Sequence, residues 1–210
     1  MTINGEVIKD PSAPVDREQE IRLDGSILRE APRRYLVFHK PSGIDCQPRR
    51  SLGSWIGDLL PRDSVGLEPA GRLDIRARGL LLVSNDLWWN SEVTESTDVE
   101  RRYEILVSGG VSELELDVLR AGISIPNQGK FKPVRSEIKS REGQRTRISL
   151  TIKGGHYRQV RAALESLRHE VMAISRVAIG AVSLVGVDQG RYRDLAPAEV
   201  RALVGCHPKG

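Results

Sequence analysis

Asp74 is the only carboxylate in a turn otherwise supplied with arginines, Gly71-Arg72-Leu73-Asp74-Ile75-Arg76-Ala77-Arg78. An aspartate in a loop ordinarily serves a turn or caps a helix. Among guanidinium groups it is no phosphate ligand, because like charges repel. It suits a nucleophile or a base, provided that a cation keeps it ionised. An opposite charge at ~4–6 Å lowers a carboxylate pKa by ~1–3 units. Arg161, near the start of a helical pattern, is the candidate for that cation. Tyr103 follows two arginines, Arg101 and Arg102. It offers a ring for stacking on a base and a phenol for proton relay, against the plainer alternative of core packing.

Basic residues gather around the same turns. Lys40, Arg72, Arg76, Arg78, Arg101, Arg102 and Arg158, with Gln159 beside the last, flank the segments that carry Asp74 and Tyr103. Arginine forks match phosphate geometry. A groove lined in this way attracts a nucleic-acid backbone and makes binding salt-sensitive. The competing reading is a solvated basic surface.

Composition narrows the remaining classes. The 210 residues fit one domain with a small appendage, and 39% apolar residues suffice for a core. The net charge of +4 alone is weak evidence for a nucleic-acid partner, so the clustering carries that argument. Two cysteines without a C-x-x-C and four scattered histidines support neither a disulfide framework nor a metal site. No secretory signal and no membrane-spanning apolar run is visible, so a cytoplasmic protein is expected.

The elements that must hold these residues can be read from the chain. Residues 1–28 contain hairpin signals at Asn4-Gly5 and Asp24-Gly25 between short alternating pieces, with little core. Residues 29–34 read as a linker, and 35–210 as the main domain. Tyr35 to His39 is a strand running into the turn Lys40-Pro41-Ser42-Gly43, and Ser54 is placed to cap a short helix ended by Pro61. Leu80 to Val83 is a buried strand, which makes Asp74 a loop residue followed by a rigid element. Arg101 to Val107 is another strand. Ser112 and Glu115 form a capping box for a helix closed by Gly122. Residues 123–144 read as a polar hairpin and loop, and Ile148, Leu150 and Ile152 alternate as a half-buried strand. Gly154-Gly155-His156-Tyr157 opens a helix with Val160, Ala163, Leu164 and Leu167 as its apolar stripe. Strand-like pieces at 174–178 and 181–185 precede a helix opening at Pro197. Mixed elements without a strict β-α-β rhythm indicate an α+β fold with a largely antiparallel or mixed sheet flanked by helices.

The ordered motifs resemble a known family. Gly71-Arg72-Leu73-Asp74 with Gly79-Leu80-Leu81 and Asn85-Asp86 is similar to the signature of RNA pseudouridine synthases, in the ribosomal small-subunit pseudouridine synthase A branch. Lys40-Pro41-Ser42-Gly43 resembles its lysine-proline turn, and Arg101-Arg102-Tyr103 its basic-x-tyrosine motif. Gly155 to Arg161, followed by Arg176-Val177-Ala178-Ile179-Gly180, resembles its last motif. Residues 1–28 resemble the second half of an S4 RNA-binding module, without its helical first half. The chain departs from the family pattern at Arg76-Ala77-Arg78, Leu87, His39 and Ala162-Ala163.

The resemblance implies an active-site cleft across the sheet and a cofactor-free, metal-free isomerisation of a uridine in ribosomal RNA, with a lean to the small subunit. The N1–C1′ bond breaks, the uracil rotates, and C5 bonds to the ribose. Asp74 is then the catalytic carboxylate, adding at C1′ or removing the C2′ proton to give a glycal. Tyr103 stacks on the uracil and helps remove the C5 proton, and Arg161 pairs with Asp74. The implied partner of this monomer is ribosomal RNA or a ribosomal-subunit assembly intermediate, with no membrane and no small-molecule cofactor. The alternative from another class is an inactive RNA-binding or assembly factor on the same scaffold.

Overall fold

Backbone ladders account for most of the architecture in this computed structural model, which describes residues 1–204 except positions 11, 17, 48–52, 64, 155 and 156. The Gly155-His156 start of the last motif and Cys206 therefore lie outside the described residues. The chain divides into two compact units, residues 1–32 and 33–210.

In the first unit, β1 (Thr2–Ile3), β2 (Glu6–Val7), β3 (Ile21–Leu23) and β4 (Ser26–Leu28) form a four-stranded sheet in the order β2-β1-β3-β4. Asn4-Gly5 and Asp24-Gly25 all have positive φ, the backbone that a type I′ hairpin turn demands. Ile3 is the only buried side chain among its described residues.

The second unit begins with β5 (Tyr35–Lys40). A single 3-10 turn (Ile56–Asp58) follows. Asp58, not Ser54, caps it by accepting from the Trp55 amide at 3.2 Å. Next come β6 (Glu68–Pro69), β7 (Arg78–Ser84) and α1 (Leu87–Glu95), whose N-cap Asp86 accepts from the Trp89 amide. Then follow β8 (Glu100–Ser108), α2 (Glu113–Ala121) with its Ser112–Glu115 capping box, and the hairpin of β9 (Ile123–Ile125) and β10 (Gly129–Phe131). After β11 (Arg135–Glu142), β12 (Arg145–Lys153) and α3 (Tyr157–Ser166), the chain closes with β13 (Val171–Ile179), β14 (Val182–Ser183), β15 (Tyr192–Asp194) and α4 (Pro197–Val204).

One mixed sheet runs β11-β12-β8-β13-β7-β5-β15, with β14 on β13 and β6 on β7. Its pairs are antiparallel except β13 with β7. One face buries Leu36, Phe38, Leu81, Tyr103, Ile105 and Leu150 in a core shared with Leu116, Leu119, Val160 and Leu164 of α2 and α3. A second core joins Val37, Leu80 and Leu82 to Trp89 and Val93 of α1 and Leu203 of α4. Alternating side chains on β5 and β7 feed both, which is why these strands read as continuous apolar runs. No helix among the described residues is long and apolar enough to cross a membrane.

Candidate active site

The Asp74 turn is built by its own backbone and by two buried cations. The Asp74 carboxylate accepts from the Arg76 amide at 2.8 Å, and its carbonyl accepts from the Ala77 amide at 3.0 Å. Lys40, fully buried, donates from Nζ to the carbonyls of Pro41 and Ile44 at 2.9 and 2.8 Å, with Ile75 O at 3.5 Å. The lysine thus ties its own turn to the residue after Asp74. Burial pushes its ammonium below the ordinary lysine range, while the carboxylates of Asp74 and Asp45 pull the other way. Arg176 donates to the carbonyls of Leu80 and Arg72. Cys46 Sγ lies 3.4 Å from both the amide nitrogen and the carbonyl oxygen of Leu73. Burial pushes the Cys46 thiol above its usual range, leaving a small core residue with little thiolate character.

Asp74 itself is half-buried. Tyr103 is 1% exposed, and its hydroxyl is buried with no hydrogen-bond partner among the described residues. Beside the turn opens a cleft of ≈ 1520 Å³, lined by Cys46, Trp55, Arg62, Arg72, Gln128 and Arg158 among others. That exceeds the ~300–1,000 Å³ of an ordinary small-molecule pocket and suits a polymer. Neither the Asp74 nor the Tyr103 side chain forms its wall.

The expected site residues divide sharply. Arg72 and Arg158 line the cleft, and Arg76 is exposed on the Asp74 turn. Gln159 is buried and donates to the Gln128 carbonyl, holding α3 against the β9–β10 hairpin rather than presenting itself to RNA. Lys40 is likewise internal.

Arg101 departs from its expected role as an RNA contact. It is 5% exposed, and its guanidinium caps the C-terminal end of α1 through the Val93 carbonyl at 2.8 Å and also donates to the Val99 carbonyl, beyond the helix, at 3.0 Å. Arg78 and Arg102 are exposed but point away from Tyr103. Ladder partners share a face, and Arg176 is opposite Tyr103, whereas Ser175 is opposite both Glu104 and Arg78.

The expected Asp74–Arg161 ion pair is not made. Arg161 Nη1 donates to the Val171 carbonyl at 3.1 Å and lies 3.9 Å from Glu165, one helical turn along α3. Asp74 has no ion-pair partner among the described residues. The phase of α3 turns Arg161 towards the start of β13, five residues before Arg176. The cation at the foot of the turn is thus Arg176, which belongs to the last family motif but had no implied role; its other signal in the sequence is an arginine inside a largely apolar strand.

Residues 34–166 match the family model described as RNA pseudouridylate synthase. The chain belongs to this family. Pseudouridine synthases are isomerases, and this member is 32% identical over 206 residues to an "Uncharacterized RNA pseudouridine synthase YtzG" of Bacillus subtilis, covering 96% of this chain and 86% of that protein. It is 30% identical to the "Ribosomal large subunit pseudouridine synthase B" of the same organism, covering 96% and 84%. It is 29% identical to the "Ribosomal small subunit pseudouridine synthase A" of Yersinia pestis, covering 99% and 88%. A solved pseudouridylate synthase superposes with a TM-score of 0.73 at 26% identity, over 97% of this chain and 88% of that one. The mixed sheet with its flanking helices is the pseudouridine synthase fold.

Proposed function

We propose that this synthase isomerises a uridine of ribosomal RNA, with Asp74 as the reacting carboxylate and Tyr103 as the ring and phenol beneath the base. The observation that carries the reading is the Asp74 turn, fixed from both sides by buried cations next to an arginine-lined cleft of polymer size. A uracil inside a helix is out of reach, so it is everted into the site at a cost of a few kcal/mol. Arg72 and Arg158, on the cleft wall, hold the opened backbone. Asp74 then attacks C1′ or takes the C2′ proton, the N1–C1′ bond breaks, and the freed uracil turns to present C5. The new C5–C1′ bond forms as C1′ leaves the Asp74 carboxylate, or as the proton returns to C2′; the phenol of Tyr103 assists departure of the C5 proton, and N1 ends protonated.

Within ribosomal RNA we assign the small-subunit molecule, on the likeness of residues 1–28 to part of an S4 module. The two relatives named for opposite subunits are similar at 29% and 30% identity, so both RNAs enter the test. Tritium release from C5-labelled uridine is measured with purified protein on each RNA and on assembly intermediates. Release from small-subunit RNA is expected. Release only from large-subunit RNA overturns the subunit assignment. No release from any, with RNA still bound, favours the inactive assembly factor.

A further inference from the structure

Arg176 is the one charged side chain that β13 buries, at 4% exposure. Its Nε donates to the Leu80 carbonyl at 2.8 Å and its Nη1 to the Arg72 carbonyl at 3.3 Å. Those carbonyls stand on either side of Asp74, where the turn leaves the cleft wall and where β7 has begun. A single guanidinium therefore staples the two ends of the turn to each other and to β13. The close approach of β7 and β13 depends on Gly79. A Cβ there, at φ +119, would sit 2.3 Å from the Arg176 carbonyl oxygen and 2.5 Å from its amide nitrogen.

Stability alone does not explain this arginine. Burying a guanidinium with no carboxylate partner costs several kcal/mol. Its two carbonyl bonds return part of that, while the third nitrogen, Nη2, is buried with no partner among the described residues. What arginine alone supplies is a rigid fork with two donors at fixed spacing, which a lysine point charge cannot reproduce.

We propose that Arg176 is a positioning residue for the isomerisation: by bridging Arg72 O and Leu80 O it holds the Asp74 turn in the one geometry from which the carboxylate reaches the ribose. This deepens, and rests on, the reading of Asp74 as the reacting carboxylate. RNA contacts are supplied by the cleft arginines, so loss of the fork affects the chemical step and spares binding.

The test uses the full chain, tritium release from in vitro transcribed ribosomal RNA, and amide hydrogen exchange. In the unmodified protein the Arg76 and Ala77 amides, which close the turn onto Asp74, exchange slowly although the turn is at the surface. Rapid exchange there overturns the proposal, whatever the variants do. Arg176→Lys and Arg176→Gln, with turnover expressed per folded molecule, lower kcat by roughly 10- to 100-fold. KM stays within about threefold. The same two amides lose protection while those of β8 and β12 keep theirs. Wild-type kcat in either variant, or a loss confined to KM, overturns the proposal. Asp74→Asn is run alongside: an active Asp74→Asn removes the underlying reading, whereas an inactive one beside fully active Arg176 variants removes only the positioning role.

Discussion

Tyr103 on β8 and Arg176 on β13 are directly opposite in the sheet, and each buries a polar atom without a partner among the described residues, the phenol oxygen and Nη2. A buried hydroxyl left unpaired costs ~1–3 kcal/mol. Tyr103→Phe is therefore expected to leave the melting temperature unchanged or raise it. If the phenol assists loss of the C5 proton, turnover falls by about 10²-fold or more. Full turnover in Tyr103→Phe, read by tritium release, would confine Tyr103 to packing.

Asp74→Asn keeps the shape of the turn, since an amide oxygen still accepts from the Arg76 amide. It removes the nucleophile or base. Product formation is expected to vanish, while filter-binding affinity for ribosomal RNA stays within about threefold because the phosphate contacts lie elsewhere. Measurable turnover in this variant would reject the role given to the carboxylate.

The strands around the site were legible because burial writes itself into composition. Residues 35–38 and 80–83 are apolar runs, and both lie in interior strands of the sheet. Ser112 and Glu115 announced α2 through side-chain chemistry that is local. β11 was hidden, since an edge strand is held by backbone bonds and Ile138 is its only apolar residue. α1 was hidden too: Asp86 caps it, but Leu87 and Trp88 are exposed and blur its apolar stripe. The site was legible as a set of motifs but not as a set of contacts. Arg101 and Arg102 are chemically identical, and only the folded sheet decides that one caps a helix and the other meets solvent. Arg176 finds its carbonyls about a hundred positions away along the chain, a pairing that no local pattern encodes.

Arg101→Met separates a structural arginine from an RNA contact. The guanidinium donates to the Val93, Thr94, Ser96 and Val99 carbonyls, and burial holds it below the usual guanidinium range. Losing even one such charged hydrogen bond costs ~1.5–3 kcal/mol. For a chain of this length that lowers the melting temperature by roughly 3–12 °C. The KM for RNA, measured below the melting transition, is expected to match wild type. A raised KM with unchanged melting would restore the RNA-contact role.

Acid should loosen the capping box of α2. Glu115 accepts from the Ser112 amide at 2.8 Å and from its hydroxyl at 2.7 Å, and also pairs with His169 at 3.0 Å. Foremost the Ser112 amide, then its hydroxyl and His169, hold the Glu115 carboxyl below the usual carboxylate value of 4.5. A carboxyl depressed by folding binds its proton more readily in the unfolded chain. Its contribution is thus complete above about pH 4.5 and disappears as pH falls through the folded value. Glu115→Gln keeps the shape of the capping box but does not titrate. Melting curves from pH 7 down to pH 3 are expected to show wild type more stable at neutral pH and the two proteins converging in acid. Parallel curves across that range would mean that this carboxylate contributes nothing through its charge.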